Sequence, residues 1–301
     1  ANTAFSYRCS RSGSTYHHLC GSSSDTTMPY RDAARTNLTS DDVRIESEVL
    51  GEGSFRVCLA GTFVGGNRNG QEAACKRFKP EYRSLDSEFF QFDFCISDKV
   101  IEIATSWNDF CDHGKEILVN RGSIHYSRSG IRYLVEPLIR FFEKYTANNG
   151  WIANTNAWQV RCMEAFAHYS YHYSGGQLLV CDIQGRYRHN RYDSSKSRFE
   201  LGDPAICSVT RRYGPTDLGE KGIDSFFANH ECNEFCRNNW SRPRGHPQQW
   251  FPWSSGTTML PSQLSNDLKL TSRTNFRNNL RQIMHRIYRI PEEQEGDSDD
   301  S

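Results

Sequence analysis

Three side chains of the kind that bind zinc lie close together in the stretch FFANHECNEFCRNNW, residues 226–240. They are His230, Cys232 and Cys236, and imidazole and thiolate are ligands that Zn²⁺ prefers. On a helix the two cysteines would share a face, because they are four residues apart. The spacing predicts a metal site, with buried thiols beside a surface histidine as the alternative.

The rest of such a site has to come from elsewhere in the chain. A structural zinc site needs a fourth protein ligand, whereas a catalytic site keeps one position open. His168 in EAFAHYSYHYS is the nearest candidate and His172 competes with it locally, while Cys207 and His189 are further options. Spacing alone leaves the fourth ligand and the role of the metal open.

A glycine turn and an isolated lysine form a second group of interest. In VLGEGSFRVC, Gly51 and Gly53 make a turn before Arg56, and glycine lets backbone N–H groups approach a phosphate closely. Lys76 stands alone in the apolar run AACKRF. It either neutralises a bound anion or is an edge-strand lysine that points to solvent.

Two carboxylates and an amide complete this second group. Asp182 and Gln184 end the apolar run LLVCDIQG on the same side, because they are two residues apart, and LGDPAICS supplies Asp203. A carboxylate there can orient a hydroxyl, and hard oxygen ligands bind Mg²⁺. Together with the lysine and the glycine turn, these groups are those that phosphoryl transfer needs, where catalysis is mostly positioning and charge neutralisation.

The elements that must position these residues follow from hydrophobic periodicity. Two strands around a glycine turn, followed by a third strand, are predicted from VRIESEVL to EAACKRFKP. A further strand that ends at Pro137 is predicted in IRYLVEPLIRFF. Helical spacing of apolar residues is found in SEFFQFDFCISDKVIEIATSWNDFC and NAWQVRCMEAFAHYSYHYS. A short buried strand is predicted in GQLLVCDIQG, and a helix begun by glycine in GEKGIDSFFANHECNEFC. A β-rich front and a mixed back, joined near residue 136, predict a two-lobed α+β domain.

The flanking segments differ from this domain in composition. Residues 1–42 are rich in Ser and Thr and predict a loosely ordered arm, and the last ten residues predict an acidic tail. A basic amphipathic helix at about 273–290 binds a calmodulin-type regulator, lies on a membrane surface or, more often for such helices, packs on its own domain. We divide the chain into the arm (1–42), the two-lobed domain (43–240, with an N-lobe at about 43–135 and a C-lobe at about 137–240) and a C-terminal extension (241–301).

Composition narrows the partners and the compartment. The 36 basic and 36 acidic residues balance, so the bulk charge does not attract nucleic acid or an anionic membrane. No run approaches the ~20 apolar residues of a membrane helix. The 11 cysteines are odd in number and mostly lie in apolar stretches, which favours buried thiols in a reducing, cytoplasmic compartment. Because the chain begins with Ala, we expect a domain of a longer protein.

The motifs HYSGGQLLVCDIQG, LGDPAICS and YGPTDLGEKGIDSFFANHECNEFC, in this order, resemble the alpha-kinase family of atypical protein kinases over about residues 45–240. The resemblance implies a two-lobed atypical protein kinase fold, with a β-rich N-lobe and a mixed α+β C-lobe that holds a structural zinc. It also implies an ATP-dependent serine/threonine protein kinase that uses Mg²⁺ or Mn²⁺ and acts on a protein substrate.

The resemblance further implies a role for each matching residue. The nucleotide would be contacted by residues of the glycine turn, the strands, the hinge and the later glycine-rich loop: Gly51, Gly53, Arg56, Lys76, Glu136 and Asp217. Catalysis would rest on Asp182 and Lys76, and Mg²⁺ on Gln184 and Asp203. The zinc ligands would be His168, His230, Cys232 and Cys236. The glycine-rich loop near substrate and nucleotide would include Gly214, Gly219 and Gly222.

Three features depart from the family pattern. Asp217 stands where the family commonly has Asn, so a carboxylate near phosphates would repel them unless it faces Mg²⁺ or solvent. An Arg-rich insertion, RYRHNRYDSSKSRFE, lies between Gly185 and Asp203 and is either a substrate contact or a solvated loop. The linker after Glu136 is one residue short. The alternatives to an active kinase are a pseudokinase, for which Asp217 is the only hint, and a zinc-stabilised binding module without nucleotide.

Overall fold

A computed structural model describes residues 42–53, 55–109, 115–127 and 129–259. The predicted arm up to residue 41, the basic segment 273–290 and the acidic tail lie outside these ranges. Among the described residues, no helix combines the length and apolar character that crossing a membrane requires.

Eleven strands and three α-helices make up the described part of the chain. The strands are β1 (Asp42–Glu52), β2 (Arg56–Val64), β3 (Glu72–Phe78), β4 (Glu116–Val119), β5 (Ser123–Tyr126), β6 (Arg132–Pro137), β7 (Glu143–Lys144), β8 (Leu178–Cys181), β9 (Gln184–Arg188), β10 (Arg198–Leu201) and β11 (Ala205–Ser208). The helices are α1 (Asp86–Asn108), α2 (Trp158–Tyr173) and α3 (Glu220–Asn229).

The front of the chain forms an antiparallel five-stranded sheet in the order β1-β2-β3-β6-β5. Side chains alternate between the two faces of a strand. On β3, Ala73 and Cys75 pack with Phe63 and Val135 in a small core on one face. Lys76 and Phe78 point to the other face, toward α1 and the rest of the molecule. The three strands predicted from residues 43–80 are confirmed.

Helix α1 covers that second face and continues to β4. Of the apolar positions that the helical spacing predicts, Ile101 is half-buried and the others are buried: Phe94, Val100, Ala104 and Trp107. At its end, the Asn108 side chain donates to the carbonyl of Ile117 at 2.9 Å and accepts from its N–H at 2.8 Å. Asn108 therefore takes the place of a neighbouring strand and fixes β4 against the helix.

A four-stranded sheet and a two-stranded sheet form the back of the domain. The larger has the order β4-β10-β9-β7, with β4 parallel to β10 and the other pairs antiparallel. The smaller pairs β8 with β11. Strand β4 lies within the predicted N-lobe sequence, yet its partner β10 lies far along the predicted C-lobe. Helix α2 packs between these sheets, with Met163, Phe166 and Ala167 fully buried.

One local prediction is wrong. Cys232 and Cys236 do not share a helical face, because α3 ends at Asn229 and His230 already has extended dihedrals (φ −78°, ψ 121°). The chain then turns, with the Cys236 N–H donating to the Asn233 carbonyl at 2.9 Å. A chain that curls around one point can direct several side chains inward, which a helix over this short stretch cannot do.

The Arg-rich insertion is a strand pair joined by a mostly exposed connection, and a contact with substrate stays a prediction. Its ends form β9 and β10, and a single turn of 3₁₀ helix at Ser194–Lys196 joins them. Arg186, Arg188 and Arg198 all direct their guanidinium groups to Glu200, at distances of 2.7, 3.2 and 3.5 Å. One carboxylate thus gathers three guanidinium groups and offsets one of their three positive charges.

Candidate active site

Strand register places several of the predicted nucleotide residues on one face of the front sheet. Gly51 pairs with Cys58, Cys58 with Lys76, and Lys76 with Leu134, so these residues form a row across four strands. Residues in such a row share a face. Gly51 thus leaves space beside Cys58 on the face that carries Lys76, and the Gly53 N–H closes the hairpin by donating to the Arg56 carbonyl at 2.9 Å.

Lys76 joins the two lobes. It lies on β3, the central strand of its sheet, so the edge-strand alternative is wrong. Its Nζ is 2.6 Å from Glu136 Oε1 and 3.0 Å from Asp203 Oδ1. Burial alone would lower the pKa of Lys76, but the two carboxylates outweigh it and raise the pKa, so the side chain remains a cation. Glu136, predicted to lie near adenine, contacts Lys76 here; the adenine contact stays a prediction.

Arg56 contacts a carboxylate that sequence reasoning did not identify. Its guanidinium forms two contacts with Asp93 on α1, at 3.1 Å to Oδ1 and 2.8 Å to Oδ2. It also lies over the rings of Phe78 and Phe90, with its Cζ 4.6 and 5.4 Å from their centres. These contacts hold the Arg56 side chain against α1. Arg56 and Cys58 are two residues apart on β2, so their side chains lie on the same face of the sheet.

Asp182 follows β8 directly and is buried, with 2% of its surface exposed. Its φ of 49° is in the left-handed region, an uncommon conformation for a residue other than glycine and one found often at active sites. Oδ1 is 2.9 Å from Lys144 Nζ and accepts from the Asn148 N–H at 3.2 Å. Burial raises the pKa of Asp182, while the Lys144 charge acts to lower it.

Gln184 and Asp203 come together because two pairs of antiparallel strands converge. Gln184 begins β9, and its Nε2 donates to the Asp203 carbonyl at 2.9 Å. Asp203 has a φ of 55°, and its carboxylate, about half exposed, faces Lys76. Partial removal from water acts to raise the pKa of Asp203, but the charges of Lys76 and Arg56 lower it, so the group is ionised. An ionised carboxylate and an adjacent amide fit a hard divalent cation such as Mg²⁺.

Asp217 is fully buried and does not face solvent. Its Oδ1 accepts from the N–H groups of Ser208 and Gly219, at 2.7 and 3.0 Å, and its Oδ2 from the Ser208 hydroxyl and the Tyr213 N–H, at 2.5 and 3.1 Å. Burial raises the pKa of Asp217 in spite of these donors. The carboxylate holds the loop 213–219 in shape, and its contact with nucleotide stays a prediction.

The glycines of this loop have structural reasons of their own. Gly214 has a φ of 85°, and a Cβ there would lie 2.9 Å from the Phe92 ring. Gly219 caps the start of α3 with a φ of 71°. A Cβ on Gly222 would lie 2.4 Å from Cys207 Sγ, so this glycine allows α3 to pack closely on β11. Their nearness to substrate stays a prediction.

The four predicted zinc ligands converge on one point. The ligand atoms of His168, His230, Cys232 and Cys236 all lie within 4.8 Å of one another. His230 Nε2 is 3.0 Å from His168 Nδ1, and Cys232 Sγ is 3.7 Å from His168 Nδ1 and 3.8 Å from His230 Nε2. Such separations suit a tetrahedral ion with bonds of about 2.0–2.3 Å. This His/Cys cluster can hold zinc.

Surrounding groups orient the imidazoles of the His/Cys cluster as a metal site requires. His230 Nδ1 lies 2.6 Å from Glu164 Oε1, and His168 Nε2 lies 3.1 Å from the Ser241 carbonyl. In metal sites the ring nitrogen that does not bind the ion usually donates to such an oxygen. The Arg242 guanidinium donates to Cys232 Sγ at 3.2 Å. The surface-histidine alternative is wrong, because His230 is 3% exposed.

The other candidate ligands lie elsewhere. The ring of His172 contacts Ser241, with Nδ1 3.3 Å from Oγ. Cys207 lies on β11 with its Sγ 3.6 Å from Cys181 Sγ. His189 follows β9 and contacts Ser197. Among the described residues, the His/Cys cluster is therefore completed by His168.

A segment after the domain crosses the catalytic side of the C-lobe. We call residues 249–258 the strap. Asn148 Nδ2 donates to the Thr258 carbonyl at 2.6 Å, and the Thr258 N–H returns a bond to Asn148 Oδ1 at 2.8 Å. Asn149 Nδ2 donates to the Ser254 carbonyl at 2.9 Å. Sequence reasoning assigned this segment to the C-terminal extension and did not predict these contacts, because the segment has no hydrophobic periodicity.

The chain matches known proteins over the region that carries these sites. The model of a family described as the alpha-kinase family matches residues 51–236, more than half of the chain. The chain is 27% identical over 178 residues to alpha-protein kinase vwkA of Dictyostelium discoideum, which covers 58% of this chain and 25% of that protein. It is 41% identical over 97 residues to transient receptor potential cation channel subfamily M member 7 of Homo sapiens, covering 32% of this chain and 5% of that protein. The chain thus spans a quarter or less of these relatives.

Solved structures show the same fold. An alpha kinase from Entamoeba histolytica superposes with a TM-score of 0.55 at 24% identity, covering 72% of this chain and 84% of that one. The alpha-kinase domain of myosin heavy chain kinase A in complex with AMPPCP superposes with a TM-score of 0.53 at 21% identity, covering 64% and 85%. The predicted two-lobed α+β fold is confirmed.

Proposed function

Because the chain belongs to the alpha-kinase family, we propose that it is an ATP-dependent protein kinase that phosphorylates Ser or Thr hydroxyls of a protein substrate. One observation carries the proposal. Lys76 of the front sheet reaches Asp203 of the back, which in turn is hydrogen-bonded to Gln184, two residues from Asp182. A phosphate-binding cation, a metal-binding pair and a buried carboxylate thus meet where the lobes face each other.

The residues divide the work of phosphoryl transfer. Lys76 and Arg56 supply positive charge for the phosphate oxygens of ATP, while Glu136 holds the lysine in place. Asp182 accepts the hydroxyl proton of the acceptor and orients its oxygen for in-line attack on the γ-phosphorus. Burial raises the pKa of Asp182, and the charge of Lys144 beside it acts to lower that pKa.

Gln184 and Asp203 would hold Mg²⁺ or Mn²⁺, since their oxygens suit a hard cation. The ion, when bound, supplies further positive charge against the phosphates. Asp203 Oδ1 also lies 3.0 Å from Lys76 Nζ. Asp203 would therefore contact both Lys76 and the cation. Because Lys76 lies on β3, the position of that strand would affect how the nucleotide binds.

We propose that zinc in the His/Cys cluster is structural. Four protein ligands leave no open position for a substrate or a water. The cluster joins α2 to the segment after α3, and α2 packs on β8, the strand that Asp182 directly follows. The pseudokinase stays the alternative. Its one hint, Asp217, has a structural role of its own, because its oxygens accept two hydrogen bonds from Ser208 on β11 and two from the N–H groups of Tyr213 and Gly219.

The compartment and the regulator remain proposals. Support for a reducing, cytoplasmic setting comes from Cys181 and Cys207, whose sulfurs lie 3.6 Å apart as thiols. The basic segment 273–290 lies outside the described residues, and the comparisons give no support for a calmodulin-type partner.

Replacing the catalytic carboxylate tests the kinase proposal. We expect Asp182→Asn to lower the rate of ³²P transfer from Mg-ATP to a basic Ser/Thr peptide by roughly 10²–10⁴-fold, because the proton acceptor is lost. Circular dichroism should be unchanged. Asp42→Asn, at an exposed position on the outer strand β1, is the matched control and should keep full activity. Normal activity in Asp182→Asn would show that another group accepts the proton.

A further inference from the structure

The outer edge of β9 lacks a partner strand over most of its length. Strand β7 pairs only with Gln184 and Gly185, whereas Arg186, Tyr187 and Arg188 pair with β10 on their other side. Among the described residues, no further strand continues β7 along this edge. An open sheet edge presents unpaired N–H and C=O groups, to which an extended segment of another chain can add as a strand.

The chain before β7 turns away from this edge at Phe141. Because Glu143 pairs with Gly185, a straight continuation would place residue 141 opposite Tyr187. Phe141 instead has a φ of 56°, which is uncommon for a bulky residue, and 87% of its surface is exposed. The edge is bordered by a groove of about 490 Å³, lined by Phe141, Glu143, Gln159, Arg186, Tyr187 and Arg188. We call it the edge groove.

The two faces of the sheet differ in chemistry along this edge. Arg186 and Arg188 are two residues apart and share a face, where both donate hydrogen bonds to Glu200. Tyr187 lies on the other face, with its ring centre 4.8 Å from that of Trp158 and 5.0 Å from that of Phe199. A strand added here would meet cations on one face and an aromatic ring on the other. Because its own side chains alternate between faces, acidic and apolar residues should alternate in it.

The charge of the edge groove favours an acidic partner. Residues 186–200 include five basic and two acidic side chains, so the segment has a net charge of +3. The Arg188 side chain is 58% exposed, which leaves its guanidinium accessible to a partner. Glu143 lines the end of the groove at β7 and would repel an acidic residue there. The acidic residues of the partner should therefore lie beside Arg186 and Arg188.

We propose that the edge groove binds an extended segment of the protein substrate, in which acidic and apolar residues alternate and which adds to β9 as a strand. The inference rests on the proposed kinase function. Arg186 is only four residues after Asp182, a span of at most about 14 Å, so a substrate held here has its acceptor hydroxyl near the catalytic carboxylate. The acidic tail of this chain, residues 292–301, fits less well, because it contains no apolar residue for the Tyr187 face.

Binding of a synthetic peptide to the full chain tests the location of the site. The probe is a fluorescein-labelled peptide in which Glu and Val alternate, and its binding is followed by fluorescence anisotropy. We expect Arg188→Glu to weaken binding by about tenfold, because a cation that faces the peptide becomes an anion. Lys196→Glu, the same change at an exposed lysine between β9 and β10, should keep the wild-type affinity. Equal affinity of the two variants overturns the inference, since both alter the net charge alike.

Methylation of the peptide backbone tests the addition of a strand. A strand at the edge of a sheet donates from the N–H groups of alternate residues only. One peptide is therefore N-methylated at its Glu residues and a second at its Val residues. We expect one of the two to lose affinity and the other to retain it. Equal affinity of the two methylated peptides overturns strand addition.

A linked acceptor tests the role of the edge groove in substrate binding. A Thr-containing acceptor peptide is joined to the alternating segment by a Gly/Ser linker, and the KM for phosphate transfer is compared with that of the acceptor alone. In the wild type and in Lys196→Glu we expect the linked peptide to have a KM about tenfold lower. In Arg188→Glu the two KM values should be equal.

These measurements separate failure of the inference from failure of the kinase proposal. Equal KM values for both peptides in the wild type overturn the inference, while the kinase proposal stands. If the alternating peptide binds at the groove but neither acceptor is phosphorylated, the kinase proposal fails and the strand-binding site stands. Faster phosphorylation of the unlinked acceptor in Arg188→Glu would show that an acidic segment of the chain itself covers the groove, which overturns the choice of a substrate as occupant.

Discussion

Lys144 is the main group that lowers the pKa of Asp182. The carboxylate is buried after β8, an environment that favours the protonated form, and Lys144 opposes this at 2.9 Å. A general base must be ionised to accept a proton, so activity falls as the pH drops through its pKa. Lys144 therefore sets how far into the acidic range the site can work.

Removing that charge should shift the pH profile. In Lys144→Gln the pKa of Asp182 loses its main lowering influence and rises further above the ordinary aspartate value. We expect the acidic limb of the kcat/KM profile to move to higher pH, as measured with an external peptide. Lys144→Arg keeps the charge and should leave the limb close to its wild-type position. An acidic limb that does not move in Lys144→Gln would mean that Lys144 has no such effect.

Sequence reasoning identified residues whose local context is unusual. Lys76 is a lone cation in an apolar run, and Asp182 ends a buried strand, so both were evident from a few neighbouring residues. Asp93 and Lys144 were missed, because each is defined by a partner far along the chain, Arg56 and Asp182. Asp217 could be located from its motif. The four groups that donate hydrogen bonds to it could not be predicted, because the folded loop brings them together.

At the scale of elements, the His/Cys cluster is a cross-link. It joins α2, through His168, to the turn after α3, and α2 packs on β8. The carboxylate of Glu164, one turn before His168 on α2, orients His230 from the same helix. A single helix thus provides both a ligand and the group that orients another ligand.

Glu164 should govern how tightly zinc is held. We expect Glu164→Gln to weaken zinc affinity by about 10–100-fold, because the amide lacks the charge that polarises the His230 ring. The measurement is zinc release during titration with a chelator of known affinity. Glu102→Gln, the same change at an exposed glutamate of α1, is the control and should release zinc as the wild type does. Equal release by both variants would contradict this role.

Elements with strong periodicity were predictable, and short strands were not. The helices α1 and α2 and the strands β1 to β3 follow from their apolar spacing. Strands β4, β7 and β10 have two to four residues, too few to show an alternation. The conformation of residues 230–236 was predicted wrongly. Cys232 and Cys236 are spaced as on a helix, but the chain turns there, so that both side chains reach the same point as His168 and His230.

At the scale of the whole molecule, bound nucleotide should connect the two lobes in addition to the contact between Lys76 and Asp203. Lys76 on the front sheet and Asp203 on the back would contact the same ligand. Binding to the folded state stabilises it, by about 2.7 kcal/mol at a ligand concentration 100 times Kd. We expect Mg-ATP to raise the Tm of the wild type and of Lys79→Met, whose lysine pairs with Glu52, but not that of Lys76→Met. An equal rise in Lys76→Met would remove Lys76 from the nucleotide site.

The parallel pairing of β4 with β10 has a consequence for how the chain assembles on the ribosome. Every strand of the front sheet lies within residues 42–137, so that sheet can form as soon as this stretch has emerged. Strand β4 emerges with it, yet its partner residues 198–201 come much later. At roughly 5–20 residues per second the β4 edge waits on the order of several seconds. During synthesis the edge of β4 that later pairs with β10 therefore has no partner strand, because the Asn108 side chain of α1 bonds Ile117 on the opposite edge.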